Sequence, residues 1–460
     1  MQLDEQGQER ASHRHGGLLW QRTFRLLWIG ETISQLGNAM ALVGVPLVAV
    51  TVLHASTLAV SLLTAAAWLP WLVIGLPSGA WVDRLPPRRV MIACDVISAT
   101  LYASVPITAW AGVLSTGLVV VIQLLAGAAS VLFMTAYQVY LPAVVTPGNL
   151  VEGNTKMQGS ASAAAFAGPG LAGLVAQLLG AVTALLFNAI SFVVSAACLL
   201  SASRTAGRSG HRSQQRPAAP PPSTLRREIA DGLLLVLRDP FLRQLSVFWA
   251  VANLALTGYA ALLVVFLVRV IGLTPGVVGL LAAIPGIGGI LGAVVTRRVT
   301  GRYGTARGLL LSTFGAIPFV LLIPLTGPGP RLAFYITGSL VAFTGIAVGN
   351  IIIAAFRQSY SPPGMCGRVT ATMRFLIFST SPFGALLGGI LGTWLGIRHA
   401  LWILLGALTL SGTLLLTRAL TGRRDLPGTV PGRRTGQVGH TASSSSGARC
   451  ERAGTRTGSL

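Results

Sequence analysis

Two acids stand inside long apolar runs of this chain, Glu31 and Asp95, while the other ten of its 12 Asp and Glu lie in polar segments. No acid occurs between Asp239 and Asp425. Ionisable groups within such runs are costly to bury and mark proton or ion pathways. Glu31 and Asp95 are therefore the candidate proton carriers. Each also has a simpler reading: Asp95 can pair with Arg84 or Arg88, and Glu31 can reach water at the end of its run. Gln35, Asn38, Asn253, Tyr259, Asn350 and Arg374 sit at similar positions. They are candidates to line a polar cavity, or to make hydrogen bonds between helices worth ~0.6 kcal/mol each. Other chemistry is sparse. The six histidines all fall in loops or tails, and the four cysteines show no paired spacing. No Gly-x-x-x-x-Gly-Lys or His-Glu-x-x-His occurs, so no catalytic residue, metal site or cofactor is expected.

The elements that carry these residues are membrane spans. Hydrophobic residues make up 52% of the 460 and charged residues only 10%, against roughly 25% charged in soluble domains. A spanning helix needs ~20 apolar residues. Spans are expected near 26–50, 57–82, 90–112, 117–141, 157–179 and 182–203. A second set is expected near 243–271, 276–296, 307–326, 331–356, 370–393 and 397–419. The expected fold is an all-α polytopic membrane protein with twelve transmembrane helices in two six-helix repeats. Its parts are a tail (1–25), a first bundle (26–203), a linker (204–240), a second bundle (241–420) and a disordered tail (421–460). The linker opens with a basic, proline-rich stretch. Ile229, Leu233, Val236 and Leu237 then recur at helical spacing, which predicts an amphipathic helix on the membrane surface. The apolar run after residue 25 is too long for a cleavable signal peptide.

The net charge of +22 invites a nucleic-acid reading, but its distribution argues against one. With loops assigned alternately and both termini inside, 30 of the 34 Lys and Arg fall on the inner side. That bias predicts cytoplasmic termini in the cell membrane, with anionic lipid headgroups as partners of the charge.

The halves resemble each other. A shift of 216 residues puts Pro147-Gly148 on Pro363-Gly364, Gly168 on Gly384, Gly173 on Gly389 and Gly180 on Gly396. A shift of 213 puts Gly75 on Gly288 and Arg84 on Arg297. Parallel repeats of this kind form a transporter architecture, with the substrate site between them.

The loop after the second span reads Gly79-Ala-Trp-Val-Asp83-Arg84-Leu-Pro-Pro-Arg88-Arg89. It resembles the loop signature of the major facilitator superfamily, with Pro86 and Pro87 where Gly and a basic residue are usual. The resemblance implies a conformational latch. Gly79 would permit close helix approach, Asp83 would meet the start of the eleventh helix near Arg368, and Arg84, Arg88 and Arg89 would pair with acids or lipid phosphates. The second-half copy has Thr296 at the acid position, so one latch is expected. Gly168-Pro169-Gly170-Leu-Ala-Gly173 resembles the glycine-proline packing motif of the exporter branch. Leu141–Asn154 and Gly367–Gly389 are similar to the macrolide-efflux and enterobactin-exporter-like proteins, a resemblance spanning roughly residues 22–420. That branch often has Asp after the Gly of the first helix, where this chain has Gly37-Asn38.

The resemblance implies a secondary transporter, not an enzyme. The expected activity is export of small lipophilic or amphipathic molecules by proton antiport, with the two halves rocking about a central cavity. A monomer is expected. An importer is the alternative, and a membrane-embedded enzyme the distant one, because the outer loops are short and carry no acid.

Overall fold

The computed structural model describes residues 18–82, 84–145, 149–202, 234, 236–360, 366–416 and 422–427. Twelve helices in it are long and apolar enough to cross a membrane. We number them α1 (Arg22–Thr51), α2 (Thr57–Ile74), α3 (Pro87–Trp110), α4 (Thr116–Val144), α5 (Leu150–Leu179), α6 (Ala181–Ser201), α7 (Pro240–Val270), α8 (Pro275–Tyr303), α9 (Thr305–Leu325), α10 (Gly329–Tyr360), α11 (Thr372–Trp394) and α12 (Ile397–Leu415). Helices are the expected solution because lipid offers backbone groups no partner.

Helix starts follow local chemistry. Ser56 and Ser115 accept the Ala59 and Leu118 amides, and Asp239 accepts the Phe241 and Leu242 amides at 2.9 Å. Pro87, Pro240 and Pro275 each occupy a first turn, where a missing N–H costs nothing. The prolines that interrupt the latch signature are thus the start of α3.

The repeat is visible in the backbone. Gly180 and Gly396, equivalent under the 216-residue shift, both take positive φ (90° and 85°) and turn α5 into α6 and α11 into α12. Gly168 packs α5 on Ala39 and Met40 of α1, and Gly384 packs α11 on Leu254 of α7. Gly173 packs α5 on Gly279 of α8, and Gly389 packs α11 on Ser61 of α2. The last two contacts join the halves and are related by the same pseudo-two-fold.

Two ends of the bundle can be distinguished. The linker end carries the connection between α6 and α7, and the hairpin end carries Gly180 and Gly396. One continuous apolar core joins the halves at the hairpin end, running from Val48 and Leu185 to Phe266 and Leu401. At the linker end each half has its own core: Phe24, Met91, Tyr140 and Leu199 in the first, and Phe241, Phe248, Phe356 and Tyr360 in the second. The halves therefore share a core at the hairpin end and keep separate cores at the linker end.

Three segments depart from simple regular helix or tail. The span near 370–393 is present as α11 but is interrupted at Ser379-Thr380, between Cys366–Phe378 and Ser381–Trp394. The run near 307–326 becomes α-helical, π and 3-10 turns in succession, with Pro318 and Pro324 unable to donate. Gly422–Pro427 is ordered rather than disordered. Asp425 accepts the Thr305 amide (2.8 Å) and hydroxyl (3.3 Å), and Leu426 donates to Thr305 Oγ1 (2.8 Å). The bare amides at the start of α9 capture this acid as a cap. The amphipathic-helix expectation lies outside the described residues except Leu234 and Val236–Arg238.

Candidate functional site

One face of α1 carries Glu31, Gln35 and Asn38, spaced i, i+4, i+7. Its other faces are committed to packing. Gly30, Gly37 and Gly44 lie against α6, at Ser195–Cys198, Asn188–Ser191 and Ala184–Leu185 respectively, while Ala39 and Met40 receive α5. Small residues permit this close approach, and it holds the polar stripe toward the remaining side. Glu31 is 6% exposed and accepts a hydrogen bond from Gln35 Nε2 at 2.8 Å. Its other oxygen has no partner. Asn38, two turns on, is exposed.

Asp95 of α3 is 1% exposed, and neither of its carboxylate oxygens has a hydrogen-bond partner. It lies close enough to Glu31 for the two charges to interact, with Ser195 of α6 beside it but short of hydrogen-bond geometry. The alternative reading, in which Asp95 pairs with Arg84 or Arg88, is not what the described residues show. Arg84 is exposed. Arg88 donates from Nε to the Leu199 carbonyl (2.9 Å) and from one Nη to the Leu200 (3.0 Å) and Ala202 (3.1 Å) carbonyls. These are orphan acceptors at the end of α6, where a cation also complements the helix dipole. The one ion pair among the described residues is Lys156–Glu152 at 2.8 Å. Both acids are thus buried on helices that pack on α6, and three of their four oxygens have no hydrogen-bond partner. Uncompensated buried charge is costly, and such groups inside a membrane belong to proton or ion pathways.

The other predicted residues divide. Asn253 spends its amide on the break in α11, donating to Ile377 O (2.9 Å), Ser381 Oγ (2.8 Å) and Thr380 Oγ1 (3.3 Å). Tyr259 is 3% exposed, with its hydroxyl 3.4 Å from that of Tyr335. Both hold helices together instead of lining an open surface. Asn350 and Arg374 are exposed on α10 and α11. In the loop signature, a Cβ added at Gly79 would meet no described atom within 4 Å. Arg89 is exposed, and Asp83 lies outside the described residues. Gly168, Pro169 and Gly173 do pack closely: Gly168 on α1, and Pro169 and Gly173 on Gly279 of α8.

Sequence reasoning missed an aromatic contact between the halves. Phe378 of α11 stacks on Trp68 of α2 at 5.5 Å and lies 5.2 Å from Trp71. The available signal was two tryptophans three residues apart in mid-span, away from the interfacial belts where tryptophan collects. Also missed was Arg269, whose Nη donates to the Ala55 carbonyl at 2.6 Å and ties the second half to the α1–α2 loop.

Known proteins share this arrangement. The chain is 29% identical over 387 residues to the multidrug efflux pump Tap of Mycolicibacterium fortuitum, covering 80% of this chain and 88% of that protein. It is 21% identical to macrolide efflux protein A of Streptococcus pyogenes, covering 87% and 95%. Among solved structures, a bacterial homologue of the iron transporter ferroportin in an inward-facing state superposes with a TM-score of 0.68 at 17% identity, covering 87% and 99%. That likeness is one of fold. Residues 27–385 match the model of the Major Facilitator Superfamily. A match across both repeats joins the twelve-helix fold to its relatives, and the chain belongs to the Major Facilitator Superfamily.

Proposed function

We propose that this transporter exports small lipophilic or amphipathic molecules in exchange for protons. The observation that carries the reading is the burial of Glu31 and Asp95 within the first bundle with three of their four oxygens unpartnered. The polar stripe of α1 runs from this pair to exposed Asn38. A proton arriving at the pair and a substrate arriving at the cleft would therefore act on the same helix. The bias of basic residues toward the linker end supports a cytoplasmic linker, in which case the structure would be the inward-facing state. The names of the two efflux relatives support export.

Rocking would break the α5–α8 and α2–α11 contacts at the hairpin end and close the linker end. Asp83, with Arg84 and Arg89, would then latch against the start of α11. The test of direction is accumulation of an antibiotic and dye panel in cells with and without the protein. Export predicts lower accumulation of at least one lipophilic compound in expressing cells, restored by dissipating the proton gradient. Higher accumulation across the responsive compounds would make it an importer.

A further inference from the structure

We propose that Arg374 binds the anionic group of an amphipathic substrate whose apolar body lies against Trp68, Trp71 and Phe378. This rests on the transport reading above and names its substrate class.

Arg374 and Phe378 are four residues apart on the helix Cys366–Phe378, so they share one face, separated by about one turn or ~5.4 Å. The contacts of Phe378 identify that face. It meets Trp68 and Trp71, which belong to the other half, so the face is turned toward that half. The break at Ser379-Thr380 sets this pose. Asn253 holds its carbonyl and hydroxyl groups from α7, and Thr380 Oγ1 donates to the Ala250 carbonyl at 3.1 Å. The aromatic contact and the cation below it are thus fixed from behind.

Arg374 is exposed, and no carboxylate among the described residues pairs with it. Its own half has no acid between Asp239 and Asp425. In the other half, Glu31 and Asp95 are buried and Glu152 is engaged by Lys156. Three aromatic rings beside an unpaired guanidinium form a site for a molecule with a flat apolar body and a carboxylate, sulfonate or phosphate a few ångströms from it. A guanidinium meets such a group with two parallel N–H donors. A cationic drug would meet repulsion at the same place.

The test uses purified full-length protein in lipid nanodiscs and a matched pair of probes, 1-pyrenebutyrate and 1-pyrenebutanol, which differ in charge at one end. Binding is read by energy transfer from tryptophan to pyrene, with empty nanodiscs as blank. The parent should bind the acid about tenfold or more tighter than the alcohol, the range expected for a hydrogen bond to a charged group. Arg374→Gln should abolish that preference while leaving alcohol affinity unchanged, and Arg374→Lys should keep part of it. Equal affinities in the parent, or an unchanged ratio in Arg374→Gln, would overturn the proposal and assign Arg374 to the lipid headgroups. The measurement needs no gradient. Acid preference with no export would sink the export reading alone, and export with no acid preference would sink this one alone.

Discussion

At the residue scale the arginines of one loop do different work. Arg88 serves three carbonyls at the end of α6, whereas Arg84 and Arg89 are exposed. Arg88→Ala leaves those acceptors without a donor and should lower stability by about 1–3 kcal/mol, read as a lower thermal midpoint in detergent. Arg84→Ala should leave the midpoint unchanged. Asp83 belongs to the other conformation in this account. Asp83→Asn should slow transport with normal insertion, because it removes a charge worth ~0.3–1 kcal/mol at a helix terminus; a wild-type rate would make it a solvated loop charge. The acids inside apolar runs were legible from residue type alone, since such groups stand out against 52% hydrophobic composition. Their mutual proximity was not. It depends on how α1 and α3 each pack on α6, and for α1 that is decided by Gly30 and Gly37 lying against Ser195–Cys198 and Asn188–Ser191. Asn253 and Tyr259 kept two readings open for the same reason: a polar residue in mid-span looks alike whether it faces a cleft or a neighbouring helix.

At the element scale the close contacts are made by glycine pairs. A Cβ added at Gly279 would come within 2.6 Å of Gly173 Cα on α5. Overpacking of this kind costs about 1–3 kcal/mol, and here the cost falls on the conformation closed at the hairpin end. Gly279→Leu should shift the protein toward the opposite conformation. The check is maleimide labelling of a cysteine placed at Ser61, which is buried at the α2–α11 contact. It should be protected in the parent and labelled in Gly279→Leu; protection in both would show that the α5–α8 contact does not govern the closure. The span positions were legible because length and apolarity decide them. The break in α11 was not, because Ser379 and Thr380 break a helix only where Asn253 rewards the freed groups. The docked segment at Asp425 was hidden likewise, its partner being the bare start of α9 some 120 residues away.

At the scale of the whole molecule, two repeats share one core at one end and hold separate cores at the other. Tight interiors do not deform continuously, so exchange between ends is a change of partner surfaces, with each half moving as a body. In this account the acid pair makes the exchange conditional on a proton. The direct measurement is substrate-driven proton movement in sealed vesicles containing the purified protein, with a compound identified from the accumulation panel. Parent protein should move protons opposite to substrate. Glu31→Gln and Asp95→Asn should each weaken the movement, and the double variant should abolish it while still binding substrate. Full proton movement in the double variant would contradict the account and place the carrier outside this pair.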